Sequence, residues 1–161
     1  WRAQIIARLQ AEHPRLIVLS ISRTYREDTL RSYDPAWIDR LTRLVQQLRG
    51  INAQVLVLGP IPNPQSSVPV CLSGHLDDAT ACSPPRSTAV NQAGIAAEIA
   101  ATKAGDGQYS DITALFCTAD RCPVIVGNTL VYLDQDHLTR QYSRLLAPVM
   151  GALADRALVG R

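Results

Sequence analysis

Apolar positions in this chain either recur at helical spacing or run together in short blocks, and the two patterns alternate. Trp1, Ile5 and Leu9 share one helical face, and that pattern stops at His13-Pro14. Leu16 to Ile21 follow as a continuous, β-branched apolar run, which predicts a buried strand of a parallel sheet. Asp34-Pro35 opens a second helix, with Asp34 as N-cap and Pro35 at the first helical position. Its core stripe is Trp37, Leu41, Leu44, Val45 and Leu48, and Gly50 ends it. Gln54 to Leu58 reads as a second buried strand, closed by Gly59-Pro60.

From there to Arg86 the chain reads as a long loop holding six prolines, a length that is uncommon unless the loop is functional or pinned. Ser87 to Ala104 is Ala-rich and predicts one helix, with Ile95 and Ile99 a turn apart. Gln108 to Asp111 reads as a short strand leading to a helical turn around Ile112 to Phe116. Val124 to Val126 and Thr129 to Tyr132 flank Gly127-Asn128, a hairpin signature. A last helix starts near Thr139 on a stripe of Leu138, Tyr142, Leu145, Leu146, Val149 and Leu153, with Pro148 expected to kink it. The alternation predicts an α/β fold, a three-layer sandwich around a mainly parallel sheet, with residues 1–161 as a single domain.

Composition narrows the function classes. With 47% apolar and 19% charged residues the chain is globular, not disordered. A net charge of +2 argues against nucleic acid as a partner, and 5% aromatics leave few stacking platforms. No apolar run approaches the ~20 residues that span a bilayer. The chain starts at Trp1, not Met, so an upstream segment is expected. No motif calls for a cofactor.

Four cysteines fall as two local pairs, Cys71 with Cys82 and Cys117 with Cys122, both in loop-like sequence. An even count in local pairs suits two disulfides and an oxidising compartment. Two reduced pairs, or a zinc site that draws on His75, are the alternatives; zinc usually wants tighter Cys-x-x-Cys knuckles.

The chemistry concentrates in Tyr132-Leu-Asp-Gln-Asp-His-Leu-Thr139, between a predicted strand and the last helix. Asp134 and His137 stand three residues apart, so the carboxylate can hold one imidazole nitrogen and leave the other as a general base. Open α/β sheets bind ligands beyond the carboxyl ends of their strands. Ser20 to Tyr25, Gly59 to Asn63 and the Asp134–His137 loop are all expected there. Taken alone, Asp-x-x-His is a weak pattern, and a helix-start histidine with a capping partner is the plainer account. Ser22 and Arg23 are candidate substrate or oxyanion contacts, and Arg26 a further candidate for an anionic or sugar ligand. For both arginines an exposed loop position is the bland expectation. His13 and His75 read as surface residues. No Gly-x-Ser-x-Gly turn surrounds Ser20 or Ser22, and no strand positions Ser73 or Ser83, so no serine nucleophile is assigned.

Several features together resemble the SGNH-hydrolase domain at the C-terminus of bacterial acyltransferase family 3 membrane proteins. They are Cys117-Thr-Ala-Asp-Arg-Cys-Pro123, Val126-Gly-Asn128, Tyr132-Leu-Asp-Gln-Asp-His-Leu-Thr139 and Leu146-Ala-Pro148. The apolar strand followed by Arg23 and Tyr25, and the Cys71 to Cys82 loop, are similar too. The resemblance implies an SGNH-hydrolase (flavodoxin-like) fold in an extracytoplasmic domain that moves or removes O-linked acyl groups, often acetyl, on cell-surface glycans or other hydroxyl acceptors. It implies a membrane acyltransferase domain in the same polypeptide. The family's terminal Asp-x-x-His falls on Asp134 and His137, as orienting carboxylate and general base.

The chain also departs from the family pattern. The nucleophile block, Gly-Asp-Ser, has no counterpart here, which implies an N-terminally incomplete domain whose first strand, serine and one oxyanion donor lie upstream. The place of the family's Gly-x-Asn-Asp reads Ile21-Ser22-Arg23-Thr24, with no Asn. A missing strand would bare a sheet edge that the upstream segment or a partner chain covers. The expected function is serine acyl transfer, as esterase or O-acyltransferase, with this chain inactive alone. The alternatives are a non-catalytic SGNH-like module that binds glycan or a partner protein, and a metal or redox domain built on the cysteines.

Overall fold

The structure is a computed structural model that describes residues 2–23, 26–27 and 30–159. Trp1, Thr24 and Tyr25, and the side chain of Arg26, therefore lie outside the described residues, as do the readings placed on them. The chain divides into two compact units, one of residues 1–60, 92–111 and 152–161 and one of 61–91 and 112–151.

The first unit carries the sheet. Helix α1 (Arg2–Glu12) ends where His13 turns left-handed, with φ 48°. Strand β1 (Leu16–Leu19) pairs in parallel with β4 (Gln54–Leu58), and β4 pairs in parallel with β5 (Gln108–Ser110), giving the order β1-β4-β5. The fold is α/β with a parallel sheet, as the alternation predicted. Between β1 and β4 lie a two-stranded antiparallel piece, β2 (Arg26–Glu27) with β3 (Leu30–Arg31), and helix α2 (Pro35–Arg49). The sequence pattern did not reveal that small piece.

Strand β4 is buried at Val55, Leu56 and Val57, as its unbroken apolar run requires. β1 departs from expectation. Its run ends as a strand at Leu19, Ile17 is buried, and Val18 is 46% exposed. β1 is the sheet's edge among the described residues, so its apolar run is covered less fully than a central strand's would be. The core joins the α2 stripe Trp37, Leu41, Val45 and Leu48 to Ile17, Val55, Val57 and Ala101, with Leu44 half-buried at its margin. Gly50 caps α2 in a helical conformation, and Asn52 two residues later takes the left-handed one, φ 64°.

The predicted helix from Ser87 to Ala104 is two. α4 (Arg86–Ala89) stops at an extended Val90, and α5 (Gln92–Ala104) starts afresh. The buried face of α5 is Gly94, Ile95, Glu98, Ala101 and Thr102, while Ile99 is 43% exposed. A carboxylate, not the second isoleucine, points into the core.

In the second unit the proline-rich stretch is not an open loop. Helix α3 (Val68–Ser73) and a 3-10 turn (Ala79–Cys82) are joined by the Cys71–Cys82 disulfide. Cys117 and Cys122 form a second disulfide. The two bridged segments are laced together by backbone bonds from Arg86 N–H to Asp120 and from Cys122 N–H to Pro84, at 2.8 and 3.0 Å. The Arg121 guanidinium adds bonds to the Thr80 and Ser83 carbonyls. Strands β6 (Ile125–Val126) and β7 (Thr129–Leu130) form the predicted hairpin. Gly127, first of its two turn residues, has the positive φ such a turn needs. Helix α6 (Arg140–Leu158) runs through Pro148; Tyr142 of its stripe is buried but Leu145 is 58% exposed.

Candidate active site

The Asp134–His137 loop is built on a buried base. Val131 and Tyr132 are fully covered, and the Tyr132 hydroxyl donates to the Pro62 carbonyl at 2.9 Å. Burial pushes the Tyr132 phenol pKa up, so it stays a neutral donor. The loop then folds back on itself. Thr139 N–H donates to Val131 O at 2.9 Å and Leu133 N–H donates to His137 O at 2.8 Å. Thr139 closes it twice over, since its hydroxyl donates to Leu130 O at 2.5 Å and accepts from Tyr142 N–H at 3.1 Å. That second bond is an N-cap, which is why α6 starts at Arg140.

Within this clasp Asp134 serves two purposes. Its Oδ1 accepts the N–H groups of Asp136 and His137, at 2.7 and 2.8 Å. Its Oδ2 meets His137 Nδ1 at 2.8 Å. The Asp136 N–H, the imidazole and the His137 N–H, in that order, hold the Asp134 carboxyl well below the usual carboxylate range, at about 2. The same contact raises His137, first through the hydrogen bond and then through the carboxylate's charge. Asp134 therefore fixes the Nδ1–H tautomer and leaves Nε2 as the nitrogen that takes a proton. The His137 side chain is 74% exposed, so the ring is reachable.

Arg23 is not the exposed loop arginine expected from its surroundings. Its side chain is 10% exposed and grips Glu98, itself 0% exposed, with Nε to Oε1 at 2.9 Å. Further bonds run from Nη1 to Ile21 O and from Nη2 to Leu58 O, at 2.5 and 2.7 Å. The Tyr109 hydroxyl donates to the second Glu98 oxygen at 2.7 Å. Burial, then the Glu98 carboxylate, push the Tyr109 pKa up, and the same causes in the same order bring Tyr33 to about 12. This cluster ties the residues leaving β1 to the carboxyl ends of β4 and β5.

The structure thus brings together Asp134 with His137, Cys71 with Cys82, and Cys117 with Cys122. Ser22, exposed, and Arg23 belong to the first unit. Sequence reasoning missed Glu98 and Tyr109. The signal for Glu98 was its place in a Gly94, Ile95, Glu98, Ala101, Thr102 stripe, a lone charge at core spacing. His13 and His75 are exposed, as expected.

A family model described as the SGNH domain fused to AT3 domains matches residues 1–152. The chain belongs to that SGNH family. No curated protein matches it. A solved structure, the periplasmic domain of the Salmonella ser. Paratyphi A lipopolysaccharide acetyltransferase, resembles this SGNH domain with a TM-score of 0.74 at 18% identity. The match covers 94% of this chain and 60% of that one. At such identity the likeness establishes a shared fold. Among the described residues, no helix of the SGNH domain is long and apolar enough to cross a membrane.

Proposed function

We propose that residues 1–161 are one SGNH domain that provides the acid–base half of an acyl-transfer site, with Asp134 as orienting carboxylate and His137 as general base. The 2.8 Å contact between Asp134 Oδ2 and His137 Nδ1 in a chain of this family carries the reading. A serine supplied from upstream attacks the ester carbonyl while His137 Nε2 takes its proton. His137 then returns that proton to the departing hydroxyl, and the acyl group rests on the serine. A glycan hydroxyl or water, deprotonated by the same nitrogen, frees it. Asp134 does not give up a proton at any step; its charge stabilises the imidazolium that forms.

The substrate class is an O-acyl group on a cell-surface glycan or a comparable hydroxyl acceptor. The setting is extracytoplasmic, beside a membrane acyltransferase domain of the same polypeptide. Two disulfides and a family described as fused to AT3 domains support that setting. Ser22 is the candidate for a contact to the substrate or its oxyanion. Arg23, committed to Glu98, contributes by positioning the segment that bears Ser22.

The test uses the full polypeptide that carries this domain. A serine-directed fluorophosphonate should label it, and His137→Ala should cut both labelling and acyl transfer by about 10³-fold or more while the fold persists. Undiminished transfer in the folded His137→Ala protein, or no serine labelled, overturns the proposal.

A further inference from the structure

We propose that Cys71, His75 and Cys82 form a site for a soft divalent cation such as Zn²⁺ once the Cys71–Cys82 bond is reduced, so that the disulfide stands as the closed form of a metal site. Cys71 lies in α3, and His75 stands two residues past the helix's end, where its N–H bonds the Leu72 carbonyl at 3.1 Å and its ring turns back to the Cys71 carbonyl. Cys82, at the end of the 3-10 turn, comes back to meet them. His75 Nδ1 lies 3.9 Å from the Cys71 sulfur and 3.8 Å from the Cys82 sulfur. All three ligand atoms lie within 4.8 Å of one another.

Those spacings are close to what a tetrahedral ion demands. With Zn–S near 2.3 Å and Zn–N near 2.0–2.1 Å, sulfur and nitrogen on one ion sit ~3.6 Å apart, and two sulfurs ~3.8 Å. The two sulfur–nitrogen distances already match to a few tenths of an ångström. Once the bond is reduced, the two sulfurs must move apart to that ~3.8 Å spacing. Rotation about the side-chain bonds of Cys71, on the more open side, supplies most of that. Three protein ligands leave the fourth position to water.

The chemistry balances with a dithiol as reductant. Its thiolate attacks the Cys71 sulfur, since Cys82 is only 4% exposed, and Cys82 leaves as the thiolate. The dithiol's second sulfur then resolves the mixed disulfide. Two electrons and two protons reach the cysteines, and the dithiol becomes a disulfide. The cation displaces two protons as the thiols become thiolates. His75 Nδ1, now bonded to the Cys71 carbonyl at 2.9 Å, gives up that bond and carries its proton on Nε2 instead.

Zinc titration against a chromogenic chelator tests this on protein reduced by a phosphine and on the oxidised protein, with far-UV circular dichroism to follow the fold. The reduced protein should bind one more equivalent of Zn²⁺ than the oxidised one. Co²⁺ in place of zinc should give thiolate charge-transfer and tetrahedral bands. His75→Ala should weaken binding at least about tenfold. The Cys71→Ser/Cys82→Ser variant, which keeps Cys117 and Cys122, should lose the extra equivalent. Three results overturn the proposal: no redox-dependent zinc, an extra equivalent that survives in that double variant, or His75→Ala binding as tightly as the parent. So does a protein that unfolds on reduction and does not regain its fold with Zn²⁺.

Discussion

Arg23 and Glu98, 75 residues apart in sequence, meet as a two-pronged ion pair, Nε to Oε1 at 2.9 Å and Nη2 to Oε2 at 3.0 Å. Both side chains are shielded from water, so each is the other's condition for being there. Removing one partner strands a charge in the interior, which costs about 3–5 kcal/mol. Glu98→Ala should therefore lower stability by that amount in a urea titration. Replacing both residues together with apolar side chains of similar volume should cost far less. Equal losses for the single and double changes would refute the pairing.

The Asp134–His137 contact fixes a direction for pH dependence. His137 should titrate above its ordinary 6.5, and Asp134→Asn should bring it back toward that value. The His137 contribution to stability is fully present below 6.5 and fades as pH rises through the folded value. That of Asp134 is present above 3.8 and fades as pH falls toward about 2. Both groups are well exposed, so the stability effects are small and the titration is the sharper readout. NMR of the imidazole Cε1 protons in the parent and the variant checks it; an unmoved His137 would count against the contact.

Two glycines should respond oppositely to alanine. A Cβ on Gly105 would lie 2.7 Å from the Val45 Cβ and 2.9 Å from the Thr42 carbonyl oxygen, with no flexible neighbour to yield. Gly105→Ala should destabilise by about 1–3 kcal/mol. Gly151, inside α6, has nothing within 4 Å of such a Cβ. Gly151→Ala should stabilise by about 0.5–1 kcal/mol. Thermal midpoints that move the same way for both would contradict this packing.

Tyr132→Phe removes the donor to the Pro62 carbonyl and leaves that buried oxygen unpaired. The expected loss is about 1–3 kcal/mol in chemical denaturation. Because Tyr132 precedes Leu133 and Asp134, the His137 NMR signal should broaden or shift as well. A variant as stable as the parent with an unchanged His137 would show that the hydroxyl does not hold the loop.

What the sequence revealed depended on how local the cause was. Helix α2 and strand β4 came out within a residue, because Asp34-Pro35 marks a helix start and Gln54 to Leu58 is a full apolar run. The hairpin at Gly127 and the Asp134–His137 pair were legible for the same reason, being set by residues within a few positions. Arg23 was misread because its partner stands 75 residues away, and no local pattern carries that information. The short helix α3 was missed inside proline-rich sequence, where the Cys71–Cys82 disulfide ties it to the 3-10 turn. The break between α4 and α5 escaped because an Ala-rich stretch reads as helix throughout. What stops it there is Val90, held extended between the two helices.

The clasp that carries His137 has a consequence in time. Leu133 with His137, and Val131 with Thr139, close spans of only a few residues, so the chain gives up little loop entropy to form them. Contacts of that range form in about 1–10 μs, whereas β1, β4 and β5 must find one another across long stretches of chain. His137 and the Asp134 carboxylate are thus set by a local event that does not wait for the sheet.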